Sequence, residues 1–301
     1  MKIAVTGGTG FVGGALCRAL AGGGHSMIAL TRSAATPVAG VRLVQWDWHN
    51  GGSWEEAITD VEAVVNLAGE PIAQRWTTAQ KREILASRVG ATRGLVRAIQ
   101  KCSPRPKVLI NASAVGYYGP HGEELLTEES PVGTDFLADV CRQWEAAARE
   151  AAAFGVRVVC VRLGVVLGAH GGALARMLPF FRIGLGGPIG HGRQWMSWVH
   201  REDVIGLIRF AIENAAACGA LNATAPNPVT NREFTLMLGA ALHRPALLPV
   251  PPLALRLRFG EMADAVLVKG QRVIPDAARR LGYEFRFPEL AKALKDILHA
   301  N

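Results

Sequence analysis

The sequence predicts an α/β fold: a doubly wound parallel sheet with a small, mostly helical C-terminal lobe. Three observations carry this expectation. Over the first 170 residues, short β-rich runs alternate with helical patterns, which argues for parallel strands linked by crossover helices. A glycine-rich turn joins the first run to the first helix. After Leu167 the texture changes, first to glycine and then to helix punctuated by proline.

The strand runs are residues 2–6, 26–31, 42–47, 63–67, 107–113 and 157–163, with helices at 12–21, 78–100 and 136–153 between them. Residues 168–192 are glycine-rich around a helical piece at 173–181. A strand-like 195–200, a helix at 202–214 and a last strand at 221–224 follow. From Ala225 the pattern is mostly helical, broken by prolines at 226, 228, 245, 249, 251, 252, 275 and 288. Residues 1–167 therefore read as one unit, with 196–224 returning to it. Residues 168–195 and 225–301 read as a substrate-binding lobe. In doubly wound folds ligands bind at the carboxyl ends of the strands, and such a lobe would cover that crevice.

Composition narrows the function. Half of the 301 residues are hydrophobic and 19% are charged, enough for a sizeable core. No window approaches the roughly 20 apolar residues of a membrane span, so no membrane partner is expected. Met1 and Lys2 lead into a short apolar run and then glycines, a strand rather than a secretory signal, and a cytoplasmic location follows. Five scattered cysteines without a C-x-x-C pair, and eight histidines without ligand spacing, predict neither a disulfide framework nor a metal. The net charge of +8 comes without a Lys/Arg run. That excludes the basic stripe of a nucleic-acid binder and suits an anionic cofactor or small-molecule substrate. A monomer and a homodimer both stay open.

The turn Thr6-Gly7-Gly8-Thr9-Gly10-Phe11-Val12-Gly13 carries the clearest chemistry. Glycines at 7, 10 and 13 allow a tight turn, close approach of a pyrophosphate, and close helix–strand packing. The following helix offers free N–H groups and the positive end of its dipole. This is a dinucleotide-binding Rossmann turn, and Gly7, Thr9, Gly10, Phe11, Val12 and Gly13 are its candidate cofactor residues. NAD-binding proteins usually carry Asp or Glu at the end of the second strand to accept from the ribose 2′-hydroxyl. Here stand Thr31, Arg32 and Ser33. An acid would repel a 2′-phosphate, whereas a guanidinium fork binds it, so the expected cofactor is NADP(H). Asp47 is expected to accept from the adenine, and Leu67, Ala68 and Gly69 to let backbone approach the cofactor.

The TGGTGFVG run, Asn66-Leu67-Ala68-Gly69 and Tyr118-Gly119 resemble the extended short-chain dehydrogenases/reductases of the epimerase/dehydratase superfamily. Ser87-Arg88, Ser113 to Gly119, Trp144-Glu145, Arg162 to Gly168, Gly184 to Gly190, Trp198-Val199-His200 and Asn222 to Pro228 are similar to one atypical subgroup. That "epimerase family" group includes a vertebrate member and cyanobacterial and plastid proteins linked to cell division. The resemblance runs over essentially the whole chain. It implies an NADP-binding Rossmann domain with a C-terminal substrate lobe, and it names no substrate.

In the wider superfamily a Tyr acts as general acid/base and a Lys four residues later lowers its pKa. This chain has no Tyr-x-x-x-Lys: residue 121 is His, 122 Gly and 287 Phe. The resemblance puts Leu137 at the Tyr position and Cys141 at the Lys position. Two readings follow, an enzyme with rearranged acid/base groups or a non-catalytic NADP-dependent regulator or scaffold. For the first, Ser113, Tyr117 and Tyr118 are the catalytic candidates. Arg88 is a candidate cation for cofactor phosphate or an anionic substrate, with Glu83 orienting it or contacting the ribose. Arg193 and Trp195 are candidate substrate residues, a phosphate contact and a stacking face.

Overall fold

The computed structural model describes residues 1–32 and 39–299. In chain order the first half contains β1 (Lys2–Thr6), α1 (Gly13–Gly22), β2 (Ser26–Thr31), β3 (Val41–Gln45), α2 (Ser53–Ala57), β4 (Ala63–Asn66), α3 (Thr78–Lys101), β5 (Val108–Ala114), β6 (Leu125–Leu126) and α4 (Phe136–Arg149). The second half contains β7 (Arg157–Leu163), β8 (Val165–Leu167), α5 (Gly172–Arg182), β9 (Trp195–Met196), β10 (Trp198–His200), α6 (Arg201–Glu213), β11 (Gly219–Ala223), β12 (Val229–Thr230), α7 (Asn231–Ala241), α8 (Pro252–Phe259), β13 (Arg272–Val273), α9 (Asp276–Arg280) and α10 (Leu290–His299).

Seven strands form one parallel sheet in the order β11-β7-β5-β4-β1-β2-β3. The strand order reverses between β1 and β4, which places a crevice at their carboxyl ends. Both faces are covered, which is why the strands read as continuous Val/Ile/Leu runs. Ile3, Val5, Val65, Ile110 and Val161 face α1 and α6 through Leu16, Leu20, Val204 and Ile208. Ala4, Ile28, Val64 and Leu109 face α3 through Leu95, Val96 and Ile99. The expected Rossmann architecture is therefore present.

The strand expected at 195–200 is broken in two. Trp195–Met196 pairs antiparallel with β12, whereas Trp198–His200 pairs parallel with β8 outside the main sheet. Ser197 marks the break, its hydroxyl donating to the Gln271 carbonyl at 2.7 Å. Leu174, Leu178, Phe181, Phe234, Leu238, Leu294 and Ile297 build a separate core with Trp198 and Leu167. Met262 joins Trp76, Ile84, Leu137 and Val140 in another. These contacts seat the C-terminal segment over α3 and α4, beside the crevice. Among the described residues no helix is long and apolar enough to cross a membrane.

Candidate cofactor cleft and the polar network beside it

The glycine turn is shaped by contacts that a side chain would break. Gly7 has φ +65°, and a Cβ there would lie 3.0 Å from the Leu67 carbonyl. The Gly10 N–H donates to Gly7 O at 2.9 Å. A Cβ at Gly13 would lie 2.2 Å from the same oxygen. Helix α1 opens at Val12 without a side-chain cap and with no acid in its first turn. Its N-terminal N–H groups and positive dipole end thus stay available to an anion.

The cleft at the carboxyl ends of β1, β2 and β4 is lined by Gly7, Thr9, Gly10, Thr31, Arg32, Leu67, Ala68 and Gly69. Thr6 fixes the β4 end: its hydroxyl donates to Asn66 Oδ1 at 2.6 Å and accepts from the Leu67 and Ala68 N–H groups. The Arg32 side chain is 65% exposed, with Nη1 3.9 Å from Glu70 Oε2. That is an ionic contact too long for a hydrogen bond. Ser33 lies outside the described residues. Trp46, Trp48, Glu70 and Ser87 also line it. Sequence reasoning gave no cleft role to these four, although the two tryptophans flank the residue it chose.

The side chains of several candidates make other contacts. Asp47 is exposed and bonded within its own turn, accepting from the His49 N–H at 2.9 Å and from Asn50 Nδ2 at 2.8 Å. The Asn50 bond holds its carboxyl below the usual carboxylate range. These bonds engage it within its turn, and it is the flanking Trp46 and Trp48 that line the cleft. The Phe11 ring packs against Gly168, Gly171 and Gly172 under the Arg201 guanidinium, so its side chain braces the loop after β8. The Val12 side chain packs into the core beside α1. Glu83 is exposed on α3, and five residues of helix turn it about 140° from Arg88, so it does not orient that side chain. Arg88 itself is buried. Asp203, in the first turn of α6, accepts from the Arg286 and Phe287 N–H groups, and His200 caps the helix.

The three catalytic candidates separate. Ser113 is 1% exposed and donates to Glu145 Oε1 at 2.8 Å. Glu145, fully buried, also accepts from Arg162 Nε at 2.8 Å and Nη2 at 3.0 Å, and from Arg149 at 2.7 Å. Tyr118 is fully buried; its hydroxyl donates to Asn222 Oδ1 at 2.7 Å and accepts from Arg162 Nη1 at 2.9 Å. Burial pushes its phenol up to about 12. Neither hydroxyl opens onto the crevice. Tyr117 is half-buried, its ring centre 3.4 Å from the Arg162 guanidinium carbon. Leu137 is buried, and burial pushes the Cys141 thiol up to about 11.

Arg193 and Trp195 come together in a second pocket with His121, Glu123, His191 and Lys269. Trp195 Nε1 donates to Glu123 Oε2 at 2.9 Å, and the Arg272 guanidinium lies 4.4 Å from the Trp195 ring centre. One face of that indole is therefore already stacked. Among the described residues no group of His, Cys, Asp and Glu side chains is arranged to hold a metal.

Comparison with known proteins adds to this geometry. Residues 3–223 match the model of the NAD dependent epimerase/dehydratase family, and residues 250–297 match a domain of unknown function, DUF1731. The chain is 43% identical to the chloroplastic SDR39U1 homolog, an epimerase family protein of Arabidopsis thaliana, over 99% of this chain and 87% of the relative. It is 42% identical to epimerase family protein YfhF of Bacillus subtilis, over 99% and 98%. Human SDR39U1 (isoform 2), solved with NADPH, superposes with a TM-score of 0.90 at 38% identity, covering 100% of both chains. A nucleoside-diphosphate sugar epimerase from Corynebacterium glutamicum superposes at 0.80 with 35% identity, covering 99% of this chain and 58% of that one.

Proposed function

The chain belongs to the NAD dependent epimerase/dehydratase family, and from that premise we propose that it binds NADP(H) and acts as an oxidoreductase or epimerase on a small molecule. The observation that carries the cofactor is Arg32 at the end of β2, lining a cleft with the glycine turn. A guanidinium there attracts a 2′-phosphate. The human relative solved with NADPH supports the same reading.

The residues fit the group. Gly7, Gly10 and the uncapped start of α1 would hold the pyrophosphate, and Arg32 the 2′-phosphate. When bound, the nicotinamide supplies hydride chemistry. The protein then has to exclude water and hold a proton. With Ser113 and Tyr118 committed to the buried network, Tyr117 is our acid/base candidate. Arg162 stacks on its ring, but that guanidinium is itself paired with Glu145, and no lysine stands beside the phenol as in the wider superfamily. Slow turnover follows. The substrate would reach toward Arg193, Trp195, His191 and Lys269, a lining that favours an anionic molecule. A cytoplasmic location, no nucleic-acid partner, and a monomer or homodimer complete the reading.

A screen of anionic carbonyl and hydroxyl compounds, followed by NADPH absorbance, tests it. Tyr117→Phe abolishes turnover while NADPH binding persists. Unchanged turnover in that variant would refute the assignment. A second reading, a non-catalytic NADP-dependent regulator, is favoured by one observation: two of the three candidate hydroxyls are locked, and Leu137 and Cys141 offer no replacement. It prevails if no substrate turns over and NADPH alters association with a protein partner.

A further inference from the structure

The cleft suits an anion, yet its wall carries a carboxylate. Among the described residues that line it, Arg32 is the one cation and Glu70 the one acid. The two face each other, with Glu70 Oε2 3.9 Å from Arg32 Nη1. They come from opposite sides of the glycine turn. Arg32 follows β2 and Glu70 lies in the segment after β4, with β1 between those strands.

The pair is asymmetric. Glu70 stands on a fixed backbone: its N–H donates to Ser87 Oγ at 3.1 Å, and Ser87 is buried on α3. The Thr6 hydroxyl holds the N–H groups of Leu67 and Ala68 just before it. The Glu70 side chain is 24% exposed, and its charge also acts on the buried Arg88. The Arg32 side chain is 65% exposed at the end of a long stem. The anion is therefore fixed and the cation free to turn. An ion pair this open and this long is weak, so it orients Arg32 without committing it.

A 2′-phosphate arriving at Arg32 meets that carboxylate. A phosphate dianion takes the guanidinium fork more strongly than a carboxylate beyond hydrogen-bond distance. Binding exchanges one anion for the other and leaves the phosphate near a like charge. A dinucleotide with a neutral 2′-hydroxyl makes no such demand and leaves the pair as it stands. The carboxylate thus subtracts from the affinity of one dinucleotide and not of the other.

We propose that Glu70 is a specificity-determining residue, the internal counter-charge that a phosphorylated dinucleotide displaces from Arg32, and that it narrows the preference for NADPH over NADH. The proposal rests on the NADP(H) reading above. It adds a residue that works against the phosphate, and it needs no contact between Glu70 and the dinucleotide.

Calorimetric titration with NADPH and NADH at one salt concentration tests it. Glu70→Gln removes the charge and keeps both the side-chain length and the backbone bond to Ser87. NADPH should bind about three- to fivefold more tightly, the scale of an exposed ion pair, while NADH changes by less than about twofold. In an Arg32→Met background the same substitution should shift NADPH by less than about twofold, because the pair is already gone. Glu70→Ala carries the test should Glu70→Gln fail to fold. Unchanged NADPH affinity in the folded variants overturns the proposal. So does weaker NADPH binding, which would mark Glu70 as a ligand of the cofactor. Equal tightening of NADPH and NADH, or an effect that persists in full without Arg32, overturns it as well, since Glu70 would then act on the whole cleft and not through Arg32. Wild-type protein that prefers NADH, or an Arg32→Met variant that binds NADPH as before, would instead defeat the NADP(H) reading itself.

Discussion

Glu145→Ala is expected to be among the most damaging single changes outside the cleft. The carboxylate accepts four hydrogen bonds, from Ser113, from two nitrogens of Arg162 and from Arg149. The Arg149 side chain is 48% exposed, so its share is small. The Arg162 side chain is 3% exposed, and removing its partner leaves an uncompensated buried cation, which costs about 3–5 kcal/mol. At an unfolding entropy of about 2.1 cal/mol/K per residue, a chain of this length loses about 5–8 °C in Tm. Thermal unfolding by circular dichroism, supported by urea titration, measures it. Ser113→Ala removes one hydrogen bond and leaves the ion pair intact, so it costs only about 1 kcal/mol. A Glu145→Ala loss below about 1 kcal/mol, or a Ser113→Ala loss as large, would refute the view that Ser113 serves this network.

Gly13→Ala places a Cβ 2.2 Å from Gly7 O, so the turn must open: NADPH affinity falls by more than about tenfold and stability falls with it. Gly22→Ala on the same helix meets nothing within 4 Å and leaves binding unchanged; calorimetry on both variants decides. Burial depresses the His200 pKa, with Asp296 and Glu202 opposing and Arg201 and Arg286 reinforcing. The unfolded chain therefore takes up the proton first as pH falls below about 6.5, and stability present above that value is lost on acidification. Urea unfolding across pH 7.5 to 5.5 should show a shallower decline for His200→Asn, which keeps a capping oxygen; parallel curves for the two proteins would contradict this.

The Rossmann frame was legible because its signals are local. Lys2–Thr6, Ser26–Thr31 and Arg157–Leu163 have the bounds read from pattern, since strands buried on both faces stay apolar until a turn residue stops them. The glycine spacing marked the cleft for the same reason. What escaped was decided by distant partners. Glu145 and Arg162 are 17 residues apart, and Tyr118 and Asn222 are 104 apart, so nothing near Ser113 or Tyr118 reveals that their hydroxyls are occupied. Asp47 shows the opposite case, a carboxylate whose partners Asn50 and His49 lie within its own turn. Ser197 looked like the middle of a strand until the Gln271 carbonyl drew its hydroxyl aside.

The proposed preference for a phosphorylated dinucleotide rests on Arg32. Its most direct test is calorimetric titration of the wild-type protein and Arg32→Asp with NADPH and NADH at one salt concentration. Wild type should bind NADPH at least about tenfold more tightly than NADH. Arg32→Asp should lose about 1.5–3 kcal/mol with NADPH and little with NADH. Equal affinities in the wild type, a preference for NADH, or an Arg32→Asp variant that binds NADPH as before would contradict it.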